Sequence, residues 1–241
     1  MDNMKAIVSR FEYLEGQRAN WDSHYQELAD YMLPRKADIV RKRARGEKRM
    51  ELIFDGTALQ SVDLLASSLH GMLTSGATPW FHLTLKDDEL GRDEEVQAWL
   101  EDTSSRMMRA ITMSNFETEV HEMYVDLVVF GTGCMFVEMD KKSMRFSTRH
   151  ISEFYVAEDQ FGIVDTVFRK YVLPARQAVQ RFGIENVSTF IQKRFEKKPD
   201  EEVTVLHCVM PRKERDPTKQ DNKNMPFASM YICMETKMVM Q

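Results

Sequence analysis

Val128-Val129-Phe130-Gly131-Thr132-Gly133-Cys134-Met135-Phe136-Val137-Glu138 is where the hydrophobic period of this chain changes. Upstream, Phe116, Val120, Met123, Tyr124, Leu127 and Val128 recur at helical spacings of three and four. Downstream, Cys134 to Met139 and Met144 to Thr148 read as strands, with Asp140-Lys141-Lys142-Ser143 as the turn between them. Two glycines at the switch supply the stop that a helix needs. Helices come first and strands second, so the order predicts an α+β fold in which N-terminal helices pack on a mainly antiparallel β region.

Working outward toward the N-terminus, Ile7, Phe11, Leu14, Trp21, Tyr25, Leu28 and Met32 form one stripe of a helix from Met4 to Met32, with Gly16 marking a kink or break. Leu33-Pro34 ends it. A second helix follows the capping segment Asp55-Gly56-Thr57, with Leu59, Val62, Ala66, Leu69 and Leu73 inward; it is expected to be buried, its small residues Ala66, Ser67, Ser68 and Gly71 admitting a close neighbour. Trp80 to Leu85 alternates as a strand, with Phe81, Leu83 and Leu85 on one face. A third helix spans Asp93 to Thr112 with Val96, Trp99, Leu100, Met107 and Ile111 inward, and a capping box, Ser114-x-x-Glu117, opens the fourth.

Toward the C-terminus, Phe154 to Ala157 and Ile163 to Tyr171 continue an antiparallel meander through the turn 158–162. Pro174 and Gly183 bracket a short helix, and Val187 to Phe195 form another. Val203 to Met210 and Met230 to Glu235 are strands joined by a polar, mobile hairpin loop, Arg212 to Asn224. Two regions are expected, 1–133 mainly helical and 134–241 mixed and mainly antiparallel β.

Composition narrows the function. The 241 residues carry 33 Lys and Arg against 38 Asp and Glu, a net charge of -5, with 43% hydrophobic residues. A chain of this size buries roughly 70% of its unfolded surface and needs no staples. Cys134, Cys208 and Cys233 form no Cys-x-x-Cys pair and read as reduced core thiols of a cytosolic fold. No apolar run is long enough for a membrane span, and the start lacks the pattern of a secretory or transit leader. Eighteen methionines are scattered over helices and strands, for adaptable packing or a flexible protein interface.

No constellation of catalytic or metal-binding type emerges. The six histidines stand apart, and His121-Glu122 lacks a second histidine four residues on. The Gly-x-Ser-x-Gly elbow and the phosphate-binding Gly-x-x-x-x-Gly-Lys loop are absent, and Gly131-x-Gly133 precedes a strand and so offers no helix N-terminus to a phosphate. Paired carboxylates such as Asp87/Asp88 and Glu94/Glu95 read as solubility charges. The expectation is a binding or structural protein, not an enzyme, with no metal and no cofactor.

Charge is unevenly placed. Between Arg35 and Arg49 the local balance is +6, carried by Arg35, Lys36, Arg41, Lys42, Arg43, Arg45, Lys48 and Arg49 on what reads as a long exposed arm. Between Lys86 and Asp102 it is -6. The two blocks are solvated faces, screen each other within one copy, or pair between copies. Arg41, Lys42, Arg43 and Arg45 with Asp87, Asp88, Glu94 and Glu95 are therefore the candidate subunit or partner interface.

An ordered series of features resembles the head-to-tail connector (portal) proteins of short-tailed bacteriophages. It comprises Arg18-Ala19-Asn20-Trp21, Tyr31-Met32-Leu33-Pro34, Asp55-Gly56-Thr57-Ala58 and the helix Leu64 to Leu73, then Pro79-Trp80-Phe81-x-Leu83, Ser114-Asn115-Phe116, Val128 to Glu138 and Glu158-Asp159-x-Phe161-Gly162. The resemblance implies a structural subunit of a ring, typically of twelve copies, at one capsid vertex of the virion, assembled in the host cytoplasm. Its implied partners are further copies, the capsid, the packaging motor (terminase), the tail, and double-stranded DNA that is packaged and ejected through the channel without sequence-specific binding. Family members are longer, so the resemblance implies that the channel-lining stem helices and the clip lie outside this chain, which corresponds mainly to the outer wing. The alternative is a nucleic-acid-binding adaptor that uses the 35–49 arm directly.

Overall fold

The computed structural model describes residues 2–240 apart from 45, 88, 140–142, 213 and 220. Its helices are α1 (Asp2–Met32), α2 (Thr57–Leu73), α3 (Glu94–Thr112), α4 (Phe116–Phe130), α5 (Ala175–Phe182) and α6 (Thr189–Lys197). Its strands are β1 (Cys134–Met139), β2 (Met144–Arg149), β3 (Phe154–Glu158), β4 (Val164–Pro174), β5 (Glu202–Pro211), β6 (Phe227–Cys233) and β7 (Met238–Met240). The fold is α+β, with every strand pairing antiparallel. The contacts divide the chain into two compact units, Met1–Trp21 with Glu153–Gln241, and Asp22–Ser152.

The first unit is built on a five-stranded sheet in the order β3-β4-β5-β6-β7. Because side chains alternate across a strand, β5 sends Leu206 and Cys208 to one face and Val203 and Val205 to the other. The first face packs on Ile7 and Phe11 of α1 together with Tyr155, Phe168 and Ile232. The second packs on Ala178 of α5, Ile191 of α6, Val187 and Met240. Phe11 meets Tyr155 edge-on at 5.1 Å between centroids, and Lys170 Nζ reaches Glu15 Oε1 at 2.8 Å, which ties α1 to the sheet. The Cys208 thiol, buried here, is pushed up to about 12; among the described residues Cys134, Cys208 and Cys233 form no disulfide.

In the second unit α2 packs on α4, with Val62 and Ala66 meeting a face that buries Val120, Tyr124 and Val125. Helix α4 ends where the sequence predicts, at Gly131 in the left-handed conformation (φ 72°), which lets its N–H bond Leu127 O. The hairpin β1–β2 follows, its turn 140–142 lying outside the described residues.

Several local expectations are corrected. Helix α1 is continuous through Gly16, and Trp21 is exposed while Gln26, Ala29 and Asp30 are buried. The strands do not form one meander. The outer edge of β2 is closed by side chains from the start of α4: Asn115 bonds both Phe146 N and Phe146 O, and Glu119 accepts from Thr148 N. A new sheet therefore begins at β3. Residues 80–85 have no partner strand among the described residues. Glu117 makes no capping box; Ser114 Oγ instead accepts from Phe116 N. Helix α2 is not buried, since Leu64 (71% exposed), Leu65, Met72 and Leu73 face outward, and Trp99 (61%) and Met107 of α3 do likewise. The short strand β7, reached through Lys237 at φ 54°, was not expected.

Two truncations test this burial. Phe11→Ala removes a fully buried ring and is expected to cost about 3–5 kcal/mol, whereas Trp99→Ala is expected to change stability by less than about 0.5 kcal/mol. Urea unfolding midpoints of the two variants against wild type check both.

Candidate subunit interface

The basic segment is not the solvated arm that its charge suggests. It is wound around one buried side chain, Gln26, which α1 carries into the second unit. Gln26 Oε1 accepts three backbone N–H groups in a row, from Ile39 at 3.2 Å, Val40 at 2.9 Å and Arg41 at 3.1 Å. Its Nε2 donates to Ala37 O and to Asp30 Oδ1. One amide thus satisfies backbone groups that no helix or sheet would reach, and fixes the loop's path.

The cations then pair inward. Arg43, only 10% exposed in its side chain, bonds Asp30 at 3.1 Å and Asp38 at 3.3 Å, and Arg49 bonds the other oxygen of Asp38. Lys36 reaches Asp126 at 2.7 Å and Glu122 at 3.1 Å, and Arg35 reaches Glu122 at 2.8 Å. Arg41 touches Asp30 loosely at 3.8 Å and remains exposed. Lys42 and Lys48 are exposed and make no ion pair among the described residues.

These pairs set the protonation of the carboxylates. Burial alone would raise Asp38, but the hydrogen bonds from Arg49 and Arg43 outweigh it and hold the carboxyl below its ordinary value. Glu122 is likewise lowered against its burial by Lys36 and Arg35. Asp126 goes the other way: deeply buried, with Oδ2 unpartnered, it is raised despite Lys36. Hydrogen bonding to Asp30 raises Arg43.

The acidic block is organised for turn formation and capping. Asp87 Oδ1 accepts from Glu89 N and Leu90 N, and Asp93 caps α3 by accepting from Glu95 N and Val96 N. Glu94 and Glu95 stand exposed in the first turn of α3. Among the described residues no ion pair joins this block to the basic segment, and Asp87, Glu94 and Glu95 make none at all. Of the predicted interface residues, then, Arg43 is withdrawn into the interior, Arg41, Lys42, Asp87, Glu94 and Glu95 are surface groups, and Arg45 and Asp88 lie outside the described residues. No group of His, Cys, Asp and Glu among the described residues is arranged to hold a metal, and no described helix is long and apolar enough to cross a membrane.

This arrangement of helices, glycine switch and hairpin occurs over a sequence whose residues 4–241 match the profile of the family described as bacteriophage head to tail connecting protein. The chain belongs to that family. It is 36% identical over 231 residues to the probable portal protein of Bordetella phage BPP-1, covering 95% of this chain and 42% of that one. To the portal protein of Salmonella phage epsilon15 it is 34% identical over 229 residues, covering 94% and 41%. The chain spans about two fifths of the length of these curated relatives.

In this connector chain the segment Pro79-Trp80-Phe81 has a packing role. Trp80 stacks on Phe116 at 5.6 Å, and Phe116 meets Phe146 edge-on at 5.0 Å, so the residues after α2 are pinned to the start of α4 and to β2. Sequence reasoning missed Gln26, Asp30 and Asp126. The signal was present: Gln26 and Asp30 are polar residues four apart, set on the helix face that also carries the buried Ala29.

Two predictions follow from the buried pairs. Gln26→Leu keeps the volume but strands several backbone groups, and is expected to cost about 2 kcal/mol or more and to speed tryptic cleavage between residues 41 and 49, read by mass spectrometry. Lys36→Met leaves Asp126 without its cation and is expected to cost about 3 kcal/mol at pH 8. Because the raised folded value of Asp126 means that the folded state binds the extra proton, that penalty shrinks as pH falls toward 5. Denaturation of both proteins at the two pH values checks the sign; a penalty independent of pH would contradict it.

Proposed function

We propose that this chain is the wing region of a portal subunit, which assembles with copies of itself into a ring at one capsid vertex of the virion. Double-stranded DNA is packaged and ejected through that ring, and capsid, terminase and tail proteins dock on it. The observation that carries this reading is the family match through residues 4–241, supported by two relatives named as portal proteins that cover nearly the whole chain. Such a role needs no catalytic group. It needs a stiff body and surfaces that meet different surfaces on the next copy, because only heterologous contacts close a ring. The first unit, a sheet packed by helices on both faces, suits the first need.

The nucleic-acid adaptor reading requires the 35–49 cations to face phosphate. The pairing of Arg35, Lys36, Arg43 and Arg49 with carboxylates of the same unit weighs against it.

Light scattering after size exclusion on the complete gene product tests the proposal. A mass many times that of one subunit, stable on dilution, is expected. A monomer at high concentration and low salt, together with tight and salt-steep binding of DNA, would turn the assignment over to the adaptor.

A further inference from the structure

Residues 79–85 run beside α3 outside any sheet. Among the described residues, the backbone from Trp80 to Leu85 has one protein hydrogen bond, from Leu83 N to Ser104 Oγ at 2.9 Å. Phe81 and Leu83 are half-buried while His82 and Thr84 are exposed, which is the alternation of a strand. Between this segment and α3 runs a cleft of about 780 Å³. Leu100, Ser104 and Met108 line its helical wall, and Phe81, Leu83 and Leu85 the other. An extended backbone with open hydrogen-bonding groups beside an apolar helix face is the setting in which an added strand docks.

The charge at the cleft selects the occupant. Asp87 and Glu101 line it beside the single cation Arg92, and Glu94 and Glu95 stand exposed on the first turn of α3, just before the lining residue Gln97; none of these four carboxylates is ion-paired among the described residues. The incoming segment must therefore bring cations. This chain carries one: Arg41, Lys42, Lys48 and Met50 are exposed on a loop that turns where Glu47 N bonds Ala44 O. Lys48 and Met50, two apart, share one side of an extended chain. Among the described residues the basic and acidic segments do not pair within one copy, so both stay available to a neighbour.

We propose that the cleft between residues 79–85 and α3 receives the basic segment of a second copy of this chain, with Arg41, Lys42 and Lys48 facing Asp87, Glu94 and Glu95. Two different patches meet, as ring closure requires. The inference deepens the ring reading and rests on it.

Charge reversal with rescue in the complete gene product tests the contact. Glu94→Lys with Glu95→Lys is expected to weaken assembly at low salt about tenfold, measured as the subunit concentration at half assembly. Lys42→Glu with Lys48→Glu is expected to do the same, and the protein carrying all four changes to regain most of the loss. In 1 M salt the difference between wild type and either double variant should largely vanish. Thr84→Pro, which removes an exposed backbone N–H, should also weaken assembly, whereas Thr84→Val should not; circular dichroism confirms that each variant is folded. Rings that form equally well in both double variants would overturn this contact while leaving the ring reading intact. Weakening without rescue in the fourfold variant would also overturn it, assigning the charges to other partners. A wild-type protein that never assembles would remove the ring reading and the contact together.

Discussion

A single buried amide decides what the second unit can offer to other molecules. Gln26 collects the N–H groups of three consecutive residues and one carbonyl from a stretch that has no helix or sheet to satisfy them. A backbone group left unpaired in a buried setting costs as much as a lost hydrogen bond or more, so the loop cannot leave this side chain without a penalty at several atoms. Asp30, one turn farther along α1, is set by the same amide and in turn fixes Arg43. The path of the chain through 37–43 is thus an interior feature.

That constraint sorts the cations. Lys36, Arg35, Arg43 and Arg49, paired with Asp30, Asp38, Glu122 and Asp126, are committed to holding α1, the loop and α4 together, while Arg41, which touches Asp30 only loosely, stays at the surface with Lys42 and Lys48. Among the described residues the acidic block has no comparable interior partner: Asp87 and Asp93 cap a turn and a helix, and Glu94 and Glu95 are exposed. A surface whose positive part is thinned by interior pairing and whose negative part is not is poorly suited to coat a polyanion. It is suited to meeting a complementary surface, and the apolar side chains that α2 and α3 leave exposed point in the same direction.

Much of the fold was legible in local pattern. The helical period up to Phe130, the glycine that halts it and the alternation after Cys134 each gave the right element, because each depends on residues within one or two turns. The failures share a cause. Trp80 to Leu85 has the period of a strand, but a strand needs a partner, and no local pattern says whether one is present. Trp99 and Leu73 lie on apolar stripes but are exposed, because whether a stripe is covered depends on packing that periodicity does not report. The meander was broken by Asn115 and Glu119, polar residues remote in sequence that occupy the edge where another strand was expected. The interface residues were chosen by charge count, which cannot tell Arg43, paired inside, from Lys42, left outside.

The proposed contact sets the basic segment of one copy against the acidic cleft of the next. Zero-length carbodiimide cross-linking of rings assembled from a mixture of isotopically light and heavy subunits measures it most directly. Cross-links are expected from Lys42 or Lys48 to Glu94 or Glu95 in which the two peptides carry different labels about as often as a random mixture allows. Cross-links of these residues found only within one label, or none between them in rings that are otherwise intact, would contradict it.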